Sequence, residues 1–307
     1  MRKPFCCILL VALTTYSFAQ NRDPLKTEII TADLDNFWIA FEQAKPDFNP
    51  EVFQKLYLDK GSRGVEGFMK GRIKSADNLA KVVKGRVNYY SSVKPSTDKI
   101  AGMKAEIINS LVKLKELYPK AIFPPVYFVI GGLSSGGTSS KDGLIIGAEM
   151  YGRTAETPTG ELNDWLKTVI KPVEEVPHIV AHELIHFQQT CDGGNLLQAS
   201  LKEGSADFIA ELISGKHING HVHDFANPKE KELWLEFKSK MREKNYDGWL
   251  YSSTEGRPND LGYWIGYKIT KAYYDQATDK QKAIEDILTI KDEEKFLATS
   301  GYAEKFK

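Results

Sequence analysis

The sequence is poor in cysteine and has no surplus of either charge. Three cysteines serve 307 residues. Cys6 and Cys7 stand in the first ten positions, so the body of the chain keeps only Cys191. A disulfide-stapled scaffold is therefore excluded, and stability has to come from packing or from a bound metal. The 41 Lys+Arg residues match 41 Asp+Glu residues, which leaves no electrostatic footprint for nucleic acid or an anionic membrane. After the first twenty residues no segment reaches the roughly eighteen apolar residues that a transmembrane helix needs. The glycine-rich stretch Gly131–Gly137 lacks a following Gly-Lys-Ser/Thr and a helix start, so it is not a phosphate-cradling loop. With 42% hydrophobic residues, a disordered chain is also excluded.

What is present begins with an export pattern. Arg2 and Lys3 precede an apolar stretch over 5–18, and Ser17-Phe18-Ala19 puts small residues where a signal peptidase reads. This predicts a signal peptide over 1–19 and a protein of the periplasm or extracellular medium, without a transmembrane anchor after cleavage. Cys6 and Cys7 fall early in the apolar run rather than just after it, which is not the placement of a lipid-attachment cysteine.

Residues 20–120 read as a helical N-terminal region. Leu34, Phe37, Trp38 and Phe41 form an i, i+3, i+4, i+7 stripe. Asn49-Pro50 opens a helix through Leu58. Further helical turns are expected over 64–91 and 98–118. The pattern then changes to strands at 125–130 and 144–148, joined by a glycine-serine loop. Helices return at 175–190, 197–213 and from Asn227-Pro228 to about residue 244. A polar loop over 245–260 precedes a helix over 261–274 and two shorter ones. The expected class is α+β: mostly helical, with a small sheet above the helix at 175–190.

That helix carries His182-Glu183-Leu184-Ile185-His186. Residues four apart lie one turn above each other, about 6 Å along the axis. His182 and His186 can thus converge on one cation, and Glu183 opens near the same point, where a carboxylate can act on a metal-bound water. His178 continues the stripe but sits about 12 Å from His186 along the axis, too far to share the ion. Glu203 follows His186 by enough residues for a turn and a returning helix, and is the expected third ligand. Asp207, one turn on, is placed to hold a metal-bound imidazole. The alternative for this pair is an acidic first turn suited to the helix dipole. His217, His221 and His223 read either as a second metal cluster or as a polar loop. Cys191 reads as a small buried residue.

His-Glu-Leu-Ile-His followed by Glu203-Gly-Ser-Ala-Asp207 resembles the gluzincin metallopeptidases, the group of thermolysin and the aminopeptidase N relatives. It is also similar to secreted bacterial proteins described as predicted zinc-dependent proteases. Gly147-Ala148-Glu149-Met150 resembles the substrate strand of those aminopeptidases, and Tyr263-Trp-Ile-Gly266 their Tyr-x-x-Gly. The likeness covers roughly 125–275. The spacing from His186 to Glu203 is about two residues shorter than in those relatives, the Met-Glu-Asn order is missing after Gly147-Ala148, and the N-terminal region is helical where they carry a β-domain.

The resemblance implies a zincin-like catalytic domain over 121–307 and one Zn2+ per chain, held by His182, His186 and Glu203. It implies Glu183 as general base and Tyr263 as the oxyanion donor, with Tyr267 in reserve. Gly147 and Ala148 would line a peptide or protein substrate, and the protein would be a secreted zinc metallopeptidase. Two alternatives stand beside it: a zinc hydrolase of a non-peptide amide or ester, and an exported binding protein with an inactive zinc site.

Overall fold

The computed structural model describes residues 20–307 apart from Asp192 and Ser253. The expected signal peptide, with Cys6 and Cys7, lies outside the described residues.

Helix α1 (Ala32–Ala44) buries Leu34, Phe37, Trp38 and Phe41, the stripe its spacing predicts. The Asn49 side chain accepts from Glu51 N and opens α2 (Pro50–Leu56). The 64–91 segment is more divided than its pattern suggests. It contains α3 (Arg63–Phe68), a π-helical turn at Met69–Ile73, α4 (Ala76–Lys84) and the start of α5 (Val87–Thr97). Lys74 has a φ of 72°, which stops the first part, and the Ser75 hydroxyl caps α4 at Asn78 N. Helix α6 (Lys104–Leu117) completes the N-terminal group.

One sheet follows. Strands β1 (Ile29–Ile30), β2 (Val126–Val129), β3 (Gly137–Ser140) and β4 (Gly143–Gly147) lie in the order β1-β2-β4-β3. The first three in that order are parallel, and β3 is an antiparallel edge strand. Sequence pattern finds β2 and β4 but assigns β3 to a loop. Gly137-Thr-Ser-Ser140 has no apolar residue to alternate, so it is a strand only because the two residues 141–142 fold it back onto β4.

Every residue of β2 and β4 is buried, which requires cover on both faces. Tyr127 and Ile145 are paired across the sheet and point at α3, where a Cβ on Gly64 or Gly67 would strike them. The opposite face, that of Gly137 and its partner Ile146, lies on α8 (Val176–Gln188). Beyond α7 (Asp164–Val169) and α8 come α9 (Leu196–Ser214), α10 (Gly220–Ala226), α11 (Glu230–Lys240) and α12 (Leu261–Gln276), then α13 (Lys280–Leu288) and α14 (Glu293–Ser300). Helix α9 packs against α8 on one side and α12 on the other. The layers therefore run from the N-terminal helices through the sheet and α8 to α9 and α12. Buried apolar side chains from Leu34 to Tyr302 form one continuous cluster.

Candidate metal centre and its cleft

Helix α8 begins with Pro177 in its first turn and buries His178, His182 and Glu183. Asn195 caps α9 at Gln198 N and sets that helix antiparallel beneath α8, with Glu203 and Asp207 on its buried side. His182, His186 and Glu203 then meet. His182 Nε2 and His186 Nε2 are 3.0 Å apart, and Glu203 Oε2 lies 3.1 Å from the second and 3.8 Å from the first. Among the described residues this is the one group of three His, Cys, Asp or Glu donors drawn together tightly enough for a metal ion.

The outer ring nitrogens are also engaged. His182 Nδ1 lies 2.8 Å from Asp207 Oδ1, and His186 Nδ1 lies 2.8 Å from Gln189 Oε1. Gln189 donates in turn to Lys202 O and Ser205 Oγ, and Asn219 Nδ2 donates to Asp207 Oδ2 at 2.7 Å. Imidazoles oriented from behind by an oxygen, with the inner nitrogens converging, are the arrangement of a metal-binding pair. Two imidazoles and a carboxylate suit zinc. His178 stands outside the donor set.

The charges fit one another. Burial alone pushes the Glu203 carboxyl up, but the adjacent His186 and the Tyr251 hydroxyl outweigh it and hold Glu203 ionised. Asp207 behaves likewise, with burial opposed by its bond to His182. Burial also raises Glu183, against the pull of His186, His182 and Arg72. Glu183 is pressed against β3: a Cβ on Gly137 would come within 2.6 Å of Glu183 Oε1. Gly137→Ala is expected to lower stability by about 1–3 kcal/mol through overpacking. Urea unfolding of the two proteins side by side measures it, and equal midpoints would show that strand and helix are not in contact here.

Tyr263 stacks on the His182 ring at 6.2 Å between centroids and 17° between planes. It stands beside the donor group, as its position in the sequence suggests. Tyr267 does not. Its hydroxyl donates to Glu211 Oε2, and its ring packs on Phe208, His217 and His223. Gly147 and Ala148 also miss the cleft. Gly147 ends β4 between β2 and β3, and Ala148 is fully buried. The edge of the sheet belongs to β3.

The three remaining histidines are not a plain loop. His221 and His223 lie on α10, and the His217 and His223 rings are 4.0 Å apart. His217 Nδ1 accepts from Asn219 N, which ties this group to Asp207.

Two cavities flank Gly137, His182, Glu183 and Tyr263 and together make a cleft along β3. The larger, ≈ 410 Å³, reaches Val169, Lys171, Ile179 and Ile218. The smaller, ≈ 370 Å³, reaches Arg72, Lys202 and Tyr251. Tyr251 donates to Glu203 Oε1 at 2.8 Å. Sequence reasoning misses Arg72, Lys202 and Tyr251, which come from three separate segments with no shared spacing. Only Gln189, three residues after His186, carries a local signal.

A family described as Gliding motility protein GldB matches residues 20–236. No curated protein and no solved structure matches the chain. The family finding corrects the gluzincin reading. It points to a gliding-motility component of lipoprotein type, so the secreted zinc metallopeptidase and the zinc hydrolase of other amides or esters are both set aside. With them go the roles of Glu183 as general base and Tyr263 as oxyanion donor. The physical reason is that a His-Glu-x-x-His helix specifies donor geometry, while the use made of that geometry is a separate matter. A lipoprotein-type family suggests a location in the cell envelope. Among the described residues no helix is long and apolar enough to cross a membrane. Matched over well more than half its length, this chain belongs to the GldB gliding motility protein family.

Proposed function

We propose that this protein is an exported component of a gliding apparatus that holds one zinc ion on His182, His186 and Glu203 and binds a polypeptide partner in the cleft above it. In this reading the zincin-like layering of an edge-stranded sheet over a histidine-bearing helix serves recognition. The observation that carries the proposal is the convergence of three donor atoms, from buried His182 and Glu203 and half-buried His186, at the floor of a cleft. Each histidine is also fixed from behind, by Asp207 and by Gln189. Without an ion, His186 and Glu203 hold each other as a hydrogen-bonded pair of opposite charges, and a divalent cation would take the place of the shared proton.

Metal content of the purified chain, wild type beside Glu203→Ala, tests the proposal. One zinc per wild-type chain is expected, with loss in the variant. Zinc at a hundredfold excess over its dissociation constant should stabilise the wild type by about 2.7 kcal/mol. A folded wild type that takes up no zinc when it is supplied would refute the reading.

A further inference from the structure

Among the described residues, strand β3 is paired on one side only. Gly147 N donates to Gly136 O, and these two residues stand opposite each other one step beyond the Gly137–Ile146 pair. In an antiparallel ladder the bonded pairs alternate. The backbone groups of residues 136, 138 and 140 therefore face β4, and those of Gly137 and Ser139 face the cleft. The four strand residues are half-buried, and the side chains across from them are Tyr251 and Tyr263. This is a strand edge set into a groove, its Gly137 carbonyl already accepting one bond from Ser135 Oγ at 2.8 Å, and it is long enough for a short extended segment to pair with it.

The charges lining the smaller cavity say what kind of segment fits. Arg72 and Lys202 line it, and neither forms an ion pair within 4.0 Å among the described residues, although the charge of Arg72 is felt by Glu183. Glu183 and Glu203 are the acidic groups on the same wall. Two cations and two carboxylates cancel. A divalent ion on His182, His186 and Glu203 then leaves a small positive excess, since Asp207 behind His182 offsets part of its charge. The lining beside the cations is hydroxyl-rich, with Thr138, Ser139 and Tyr251.

We infer that the cleft binds an extended acidic polypeptide segment, paired by its backbone to the Gly137–Ser140 edge and held by a carboxylate side chain between Arg72 and Lys202. The inference rests on the proposed metal-loaded state, because the bound ion supplies the excess positive charge. It predicts a partner with Asp or Glu in an extended stretch free of proline, since both the pairing groups and the counter-charge are needed.

The test uses the full mature chain and four fluorescein-labelled octapeptides. Three alternate threonine with glutamate, glutamine or lysine, and the fourth is the glutamate peptide with alternate backbone nitrogens methylated. Binding is read by anisotropy at low and moderate salt, with zinc content measured on the same samples and circular dichroism checking the fold of each variant. The glutamate peptide should bind at least tenfold more tightly than the glutamine peptide. Methylation should remove most of that binding. Arg72→Ala with Lys202→Ala should bring the glutamate and glutamine peptides to equal affinity with zinc content unchanged. Zinc-loaded protein that shows no acidic preference overturns the inference and leaves the metal reading standing. Binding that survives methylation, or anionic phospholipid vesicles captured as well as the peptide, also overturns it, since charge alone then suffices. Protein without zinc and without acidic preference fails both readings, and the zinc measurement tells the cases apart.

Discussion

Gly266→Ala should lower the stability of this protein by at least about 3 kcal/mol, the upper range for overpacking of a closed site. Helices α9 and α12 meet backbone to backbone. A Cβ on Gly266 would collide with the carbonyl of Ser200, and one on Gly204 with the backbone of Gly266 and Tyr267. Neither obstacle is a flexible side chain, so relief requires the helices to separate. Separation would uncover fully buried Leu261, Trp264, Ile265 and Ile269 on α12, and it would tilt α9, which carries Glu203 and Asp207. A fall in melting temperature on the order of 10 °C is expected for a chain of this size, with weaker zinc uptake. Gly71→Ala is the control, because a Cβ there meets nothing within 4 Å. Differential scanning fluorimetry of the three proteins decides it. Equal melting temperatures for Gly266→Ala and wild type would show that α9 and α12 stand further apart than described.

The same helix crossing shows where sequence reading succeeds and where it stops. His182 and His186 are legible because one helical turn fixes their relation whatever the rest of the chain does. Glu203 and Asp207 are legible because a short connection after α8 returns the chain antiparallel, which puts them opposite the histidines. Gly266 is visible as part of Tyr-x-x-Gly, yet its burden is packing against Ser200 rather than chemistry. Tyr263 and Tyr267 differ by one turn, and only the tertiary contacts separate a ring stacked on His182 from one bonded to Glu211. The edge strand is invisible because Gly137-Thr-Ser-Ser140 has no hydrophobic period. Its pairing with β4 is a non-local fact that a local pattern does not encode. Arg72, Lys202 and Tyr251 arrive at the cleft from three separate places. The donor geometry could thus be read from spacing, but the use made of it could not.

Glu149 gives the second large effect, and it depends on pH. The residue is fully buried in the turn after β4, where its Oε1 accepts from Leu133 N at 3.1 Å and its Oε2 has no hydrogen-bond partner among the described residues. It braces the loop that leads from β2 to the edge strand, among Tyr57, Tyr89 and Tyr90, which bond the carbonyls of Ile130, Glu149 and Gly131. Burial pushes the carboxyl up from 4.5 to about 7, against the nearby backbone N–H groups of Gly131, Glu149 and Leu133 that favour the charge. The folded state therefore binds the proton more tightly than the unfolded chain. Its stabilising effect is complete below the unfolded value, near 4.5, and is lost as pH rises to about 7. A shift of this size corresponds to about 3 kcal/mol. Glu149→Gln cannot ionise, so its stability relative to wild type should climb by about that amount between pH 4.5 and 8, then level off. The amide nitrogen facing the unpartnered position adds a constant penalty, which leaves the slope as the diagnostic quantity. Urea unfolding of both proteins across that range measures the difference directly. A difference independent of pH would mean that water reaches Glu149 and that the loop before β3 is held by something else.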